Sequence, residues 1–229
     1  FKFKSSDGDF KIKYWFQVSA AYYLSLILFK YGFDKVFKHQ FYLPEPNTLY
    51  TPLGQLSPDI LFWSTMGSSY SYSMFSGVLE LLPAVLLLFK RTRLIGGLIA
   101  MAVLMNVVMI NFGFDISVKV YSSFLFALSL IVISPNLKSL FYFFILNKET
   151  TQVVHEVEFK SSKQLLSYAI IKALVIGLIL FESLGGYIEV GNFNDDTYPR
   201  PYLHGAYSNL SPNEEIKRVF IHRKQYFIV

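Results

Sequence analysis

Long apolar runs along this chain alternate with short polar stretches rich in Lys and Arg, a pattern that predicts helices of membrane-spanning length. Crossing a hydrocarbon layer of about 30 Å takes roughly 20 helical residues. Five segments meet that length: 14–37, 69–89, 94–113, 117–134 (ending at Pro135) and 165–187. The stretches between them read as connectors. Residues 38–68 form a Pro-rich aromatic loop holding one helix start, with Ser57 as N-cap, Pro58 at the first helical position and Asp59 at the positive end of the helix dipole. Residues 136–147 continue the fourth run as an amphipathic or interfacial piece, and 148–163 are polar, with a short strand expected at 153–159. Beyond the fifth run the chain turns irregular. "KRVFIHRKQYFIV" at 217–229 then pairs two β-prone runs around a polar turn, which predicts a hairpin.

Composition turns this pattern into a class. Of 229 residues, 53% are hydrophobic and only 16% charged, with a mean hydropathy of +0.39. Soluble domains carry about 25% charged residues, so the expectation is an all-α integral membrane protein in the lipid bilayer. The net charge of +5 does not imply nucleic acid, because Lys and Arg cap the apolar runs and form no single patch. The absence of cysteine excludes thiolate metal sites and a cysteine nucleophile within these residues. The histidines at 39, 155, 204 and 222 lack ligand spacing, so no metal is expected.

Basic residues also set an orientation, since they concentrate on the cytoplasmic side of membrane proteins. A cytoplasmic N-terminus places Lys2, Lys4, Lys11, Lys13, Lys90, Arg91, Arg93, Lys138, Lys148, Lys160 and Lys163 inside, against Lys35, Lys38, Lys119 and Arg200 outside. The chain then divides into a cytoplasmic segment 1–13, a four-span bundle 14–147, a cytoplasmic loop 148–163, a fifth span 164–187 and an extracytoplasmic segment 188–229. The first and last residues read as cut ends, with the last segment incomplete and its strand edges covered elsewhere.

Within this frame Glu80 is the residue that needs explaining. It lies ten residues before Lys90, near the middle of the bilayer, where a carboxylate costs several kcal/mol unless paired or protonated. Ser73, Ser76, Gly77 and Ala84 share its face, so that face should look into the bundle. Counting from the turn at Thr92 puts Asn106 at matching depth, which nominates a Glu80–Asn106 hydrogen bond. Two roles stay open: polar glue between helices, or a proton acceptor at a substrate site formed with Asn106 and Ser76. Asp34 and Lys35 read as solvated interfacial groups, Asp115 and Lys119 as a local ion pair, and Lys172 and Glu182 as reaching opposite interfaces.

The residues also resemble a known family. "YGFDKVF" at 31–37, with its Gly-x-x-Lys spacing, is similar to the end of the first span of DoxX proteins. "GVLELLPAVLLLFKRTRLIGGLIA" at 77–100 is similar to the second span and basic turn of that family. The resemblance covers about 14–146 and places Gly32, Lys35, Glu80 and Arg93 on its motif positions; Pro83, the loop 38–68 and the fifth span depart from it. It is nearest to extended DoxX-like proteins of Bacteroidetes-type bacteria, with a fainter likeness to the membrane bundle of vitamin K-dependent carboxylase-like proteins. It implies a four-helix DoxX-like bundle in the bacterial cytoplasmic (inner) membrane. It further implies a subunit of a redox or quinone-linked system, with other membrane or extracytoplasmic subunits as partners. A bound quinone would be the cofactor, the chain itself carrying none, and Lys35 would join Glu80, Asn106 and Ser76 at the site. The alternatives are a proton-coupled carrier of small solutes, or a membrane anchor for an extracytoplasmic domain. Whether the chain is itself an enzyme stays open.

Overall fold

A computed structural model describes residues 7–153, 161–210 and 215–229, with side chains from residue 12 onward. The elements are α1 (Asp7–Val36), α2 (Pro46–Tyr50), α3 (Pro58–Ser68), α4 (Tyr70–Leu87), α5 (Arg93–Gly113), α6 (Lys119–Ile133), α7 (Leu137–Phe144), α8 (Ser162–Val190), and strands β1 (Gly205–Ser208), β2 (Arg218–Ile221) and β3 (Phe227–Ile228). The structure is mostly helical, with a small antiparallel sheet at its C-terminal end in the order β1-β2-β3.

Among the described residues four stretches are long and apolar enough to cross a membrane: Tyr70–Leu87, Arg93–Gly113, Lys119–Phe144 and Ser162–Val190. The fourth apolar run does not end at Pro135. A single 3-10 turn at Ser134–Asn136 carries the chain into α7, because proline fits the first turn of a new helix. Helix α1 is as long as the spans but less apolar, and the packing explains why: it lies against α4, α6 and α8 and spends its polar side chains on bonds to them. Gln17 donates to the Val132 carbonyl at 2.7 Å and Ser25 to the Ala84 carbonyl at 2.7 Å.

The pairing of α1 with α4 is antiparallel and close. Ser25 meets Ala84, Gly32 faces Gly77, and Ser73 donates to the Lys35 carbonyl at 3.0 Å. A Cβ on Gly77 would lie 2.7 Å from the Gly32 carbonyl oxygen, so the two backbones touch where neither residue has a side chain. Helix α8 runs parallel to α1, held by Lys30–Glu182 at 2.6 Å and by Tyr187 donating to Asp34 at 2.5 Å.

Outward faces invert the soluble pattern. Leu82 and Val85 on α4, Met105 and Met109 on α5, and Leu174, Leu178 and Phe181 on α8 are large, apolar and exposed. Water tolerates a few such residues singly but not continuous stripes of them. The stripes suit lipid, as the four apolar helices do.

The expected short helix after Ser57 is present as α3, and the expected hairpin as β2 and β3. Strand β1 lies in a stretch read as irregular; "GAYS" has little strand character and is ordered by pairing with β2. The strand expected at 153–159 falls almost wholly outside the described residues.

Candidate functional site

Glu80 faces the bundle interior, but its partner is not Asn106. Lys35 Nζ donates to Glu80 Oε2 at 2.7 Å, and the two side chains are only 9% and 4% exposed. Helix direction accounts for the contact. Side chains lean toward the N-terminus of their own helix, and α1 and α4 run in opposite senses. Lys35 therefore reaches along α1 toward Glu80 while Glu80 leans back toward Lys35. The register of the two helices leaves their Cα atoms roughly 9 Å apart along the axis, a gap that the long lysine stem spans. The expectation that Lys35 is solvated at an interface is thereby corrected, and so is the one for Asp34, which accepts from Tyr187. Glu182, expected to reach an interface alone, pairs with Lys30. The expected pairing of Asp115 with Lys119 is present.

Lys35, Ser76, Glu80 and Asn106 all line one cavity of about 670 Å³. It lies between α4 and α5 beneath α3, and extends from Leu98 to Asn111 along α5, roughly 20 Å of helix. Its two ends differ. Leu79, Leu98, Ile99, Ala102 and Val103 make one end apolar, whereas Gln40, Asn111, Phe41, Phe62 and Trp63 make the other polar and aromatic. Ser76 is not free to turn into the cavity as a donor, because its hydroxyl donates to the Ser73 carbonyl at 2.8 Å. Two of the lining residues each carry a buried atom without a hydrogen-bond partner, Gln40 Oε1 and Asn111 Nδ2. Neither residue stood out in the sequence, where an amide near a helix end is an ordinary surface residue.

Gln40 and Trp63 also line a second pocket, of about 440 Å³, on the far side of α3. This one is bounded by the C-terminal segment, which folds over the loop after α1. Glu45 accepts from Arg223, and from His204 at 3.2 Å; Asp195 binds Arg223, and Arg200 at 3.1 Å. Lys38, fully buried, donates to the Gly67 carbonyl at 2.7 Å and pairs with Asp196 at 3.3 Å. Burial alone would raise the Glu45 carboxyl, but the bonds from Arg223 and His204 outweigh it and hold Glu45 below the usual carboxylate range. Arg200 and Arg223 hold Asp195 low in the same way, against the same opposing burial. The segment after α8 is thus clamped to the loop by charge pairs that the scattered Arg and His of the sequence did not disclose.

Among the described residues no group of His, Asp and Glu is placed to hold a metal ion. His155 lies outside them. Arg93 donates to the Leu87 carbonyl at 3.4 Å and so ties the α4–α5 turn rather than lining the cavity.

Compared with known proteins, the chain is 34% identical over 120 residues to the uncharacterized protein YwoB of Bacillus subtilis strain 168. The alignment covers 48% of this chain and 70% of YwoB. The chain belongs to the YwoB family. No family model matches the chain, and no solved structure matches it significantly. YwoB family membership therefore names kin without naming an activity.

Proposed function

We propose that this chain is a multi-pass protein of the bacterial cytoplasmic membrane that holds a quinone or a similar lipophilic carrier for a redox partner. In this reading α1, α4, α5 and α6 form a DoxX-like bundle and α8 is a fifth span. The N-terminus is cytoplasmic, and the C-terminal sheet with its charge clamp lies outside. The observation that carries the proposal is the cavity. Its walls are mainly apolar, its depth suits a molecule partitioned into lipid, and Lys35, Glu80 and Asn106 supply a few polar groups along it. The DoxX resemblance gains support from the same geometry, because Gly32, Lys35 and Glu80 converge on one helix contact. In this reading Glu80 exchanges a proton with a bound carrier, and Lys35 is the partner that holds its carboxyl in position.

A proton-coupled carrier is the second reading. It is favoured by the sharing of Gln40 and Trp63 between the inner cavity and the outer pocket, which leaves a thin partition between them. Loss of proton flux in Glu80→Gln vesicles would speak for it.

The first reading predicts that protein purified gently from its native membrane carries quinone, found by extraction and mass spectrometry. Ala102→Trp, which fills the apolar end of the cavity, should arrive without it. Quinone no more abundant in the wild type than in an unrelated membrane protein prepared alongside would overturn the proposal.

A further inference from the structure

The polar end of the cavity restricts what its occupant carries there. Lys35 and Glu80 neutralise each other at 2.7 Å, so the cavity offers a charged head group no uncompensated counter-ion. Bringing an anion or a cation beside such a pair costs its hydration and returns little. Against that neutral background two buried atoms lack partners. Asn111, 4% exposed, has a donor to give, and Gln40 has a vacant acceptor. Buried amide atoms are almost always bonded, and leaving one unpaired costs about 1–3 kcal/mol. Both residues line the cavity together with Phe41, Phe62 and Trp63, while the opposite end is aliphatic.

From this we infer that the occupant is an uncharged amphiphile whose head both accepts and donates a hydrogen bond, as a hydroxyl does, with its tail lying along α5. The inference rests on the reading that the cavity takes a lipophilic molecule, and it narrows the class within it. A hydroquinone or a long-chain alcohol fits. A fatty acid or an alkylamine brings a charge, and an ether or a quinone brings acceptors with nothing to donate to Gln40.

The test uses the full chain in lipid nanodiscs and the displacement of tritiated 1-dodecanol by competitors sharing one tail. These are dodecanol, methyl dodecyl ether, dodecanoate, dodecylammonium, and a dodecyl hydroquinone with its quinone, each at matched mole fraction. Dodecanol and the hydroquinone should displace the label at concentrations about tenfold below those of the ether, the quinone and both ions, the worth of roughly one net hydrogen bond. Asn111→Leu and Gln40→Leu should each shrink that advantage several-fold while leaving the ions unchanged; either variant suffices if the other fails to fold. Equal displacement by ether and alcohol, or stronger displacement by either ion, would overturn the inference while leaving a lipophile in the cavity. Displacement by dodecanol with neither quinone form competing would remove the quinone reading and strike the hydroquinone from the class, while supporting an aliphatic occupant with a hydroxyl head. Absence of saturable dodecanol binding would overturn the inference by itself, and quinone recovered from native membranes would then still support the carrier reading.

Discussion

Glu80→Leu will destabilise the protein by about 3–5 kcal/mol, the usual cost of removing one partner from a buried ion pair. The ammonium of Lys35 stays where it is, nearly closed off from water, with the ring centroids of Tyr31 and Phe41 each 5.5 Å away. Ring faces attract a desolvated cation by about 2 kcal/mol, less than the loss of the carboxylate costs. Glu80→Gln should cost much less, because an amide oxygen can still accept from Lys35. The double change Lys35→Met with Glu80→Leu should recover most of the loss, since neither charge then remains to be compensated. Thermal unfolding of the three variants in one detergent checks this, and a Glu80→Leu melting temperature equal to that of the wild type would show that the pair is not buried as described.

A comparable loss is expected from Gly77→Val, for a steric reason. The added Cβ would sit 2.7 Å from the Gly32 carbonyl oxygen and 3.0 Å from the Val36 nitrogen. Those are backbone atoms, which cannot rotate away, so α1 and α4 must part. Parting stretches Ser25 to Ala84, Ser73 to Lys35 and Lys35 to Glu80 together, because all three bonds cross the same contact. Overpacking of this kind costs about 1–3 kcal/mol for one or two methyl groups. Here the lost bonds add to it. Gly177→Ala in α8 is the matched control: nothing lies within 4 Å of its added Cβ, so it should be neutral or gain up to about 1 kcal/mol from better helix propensity. Equal melting temperatures for Gly77→Val and Gly177→Ala would refute the close α1–α4 contact.

How these elements follow from the sequence depends on the distance over which a signal acts. Apolar runs, the helix start at Ser57–Asp59 and the β2–β3 hairpin are local patterns, and each appears within a few residues of its expected place. That Glu80 looks inward was legible too, because serine and glycine share its face. Its partner was not. Asn106 could be matched to it by counting through a short turn, whereas Lys35 lies across the loop 38–68, whose length hides the register of α1 against α4. Side-chain direction was the missing step: opposite helix senses bring a lysine from well above the glutamate down to it. Asp34 and Glu182 were misread for the same reason, since their partners Tyr187 and Lys30 are each more than a hundred residues away. Strand β1 was invisible because four small and aromatic residues acquire a strand only when a ready neighbour offers its edge.

The account stands on a lipophilic molecule occupying the space between α4 and α5, and photolabelling tests that most directly. A dodecyl hydroquinone bearing a diazirine near its tail end, irradiated in nanodiscs with the wild-type protein, should attach to Leu79, Ala102 or Val103, where the aliphatic end of the cavity lies. An excess of unlabelled dodecanol should suppress that labelling. Attachment confined to the outward faces, at Leu82, Val85 or Met105, and indifferent to competitor would mean that the molecule meets only the lipid-facing surface and that the cavity is not its site.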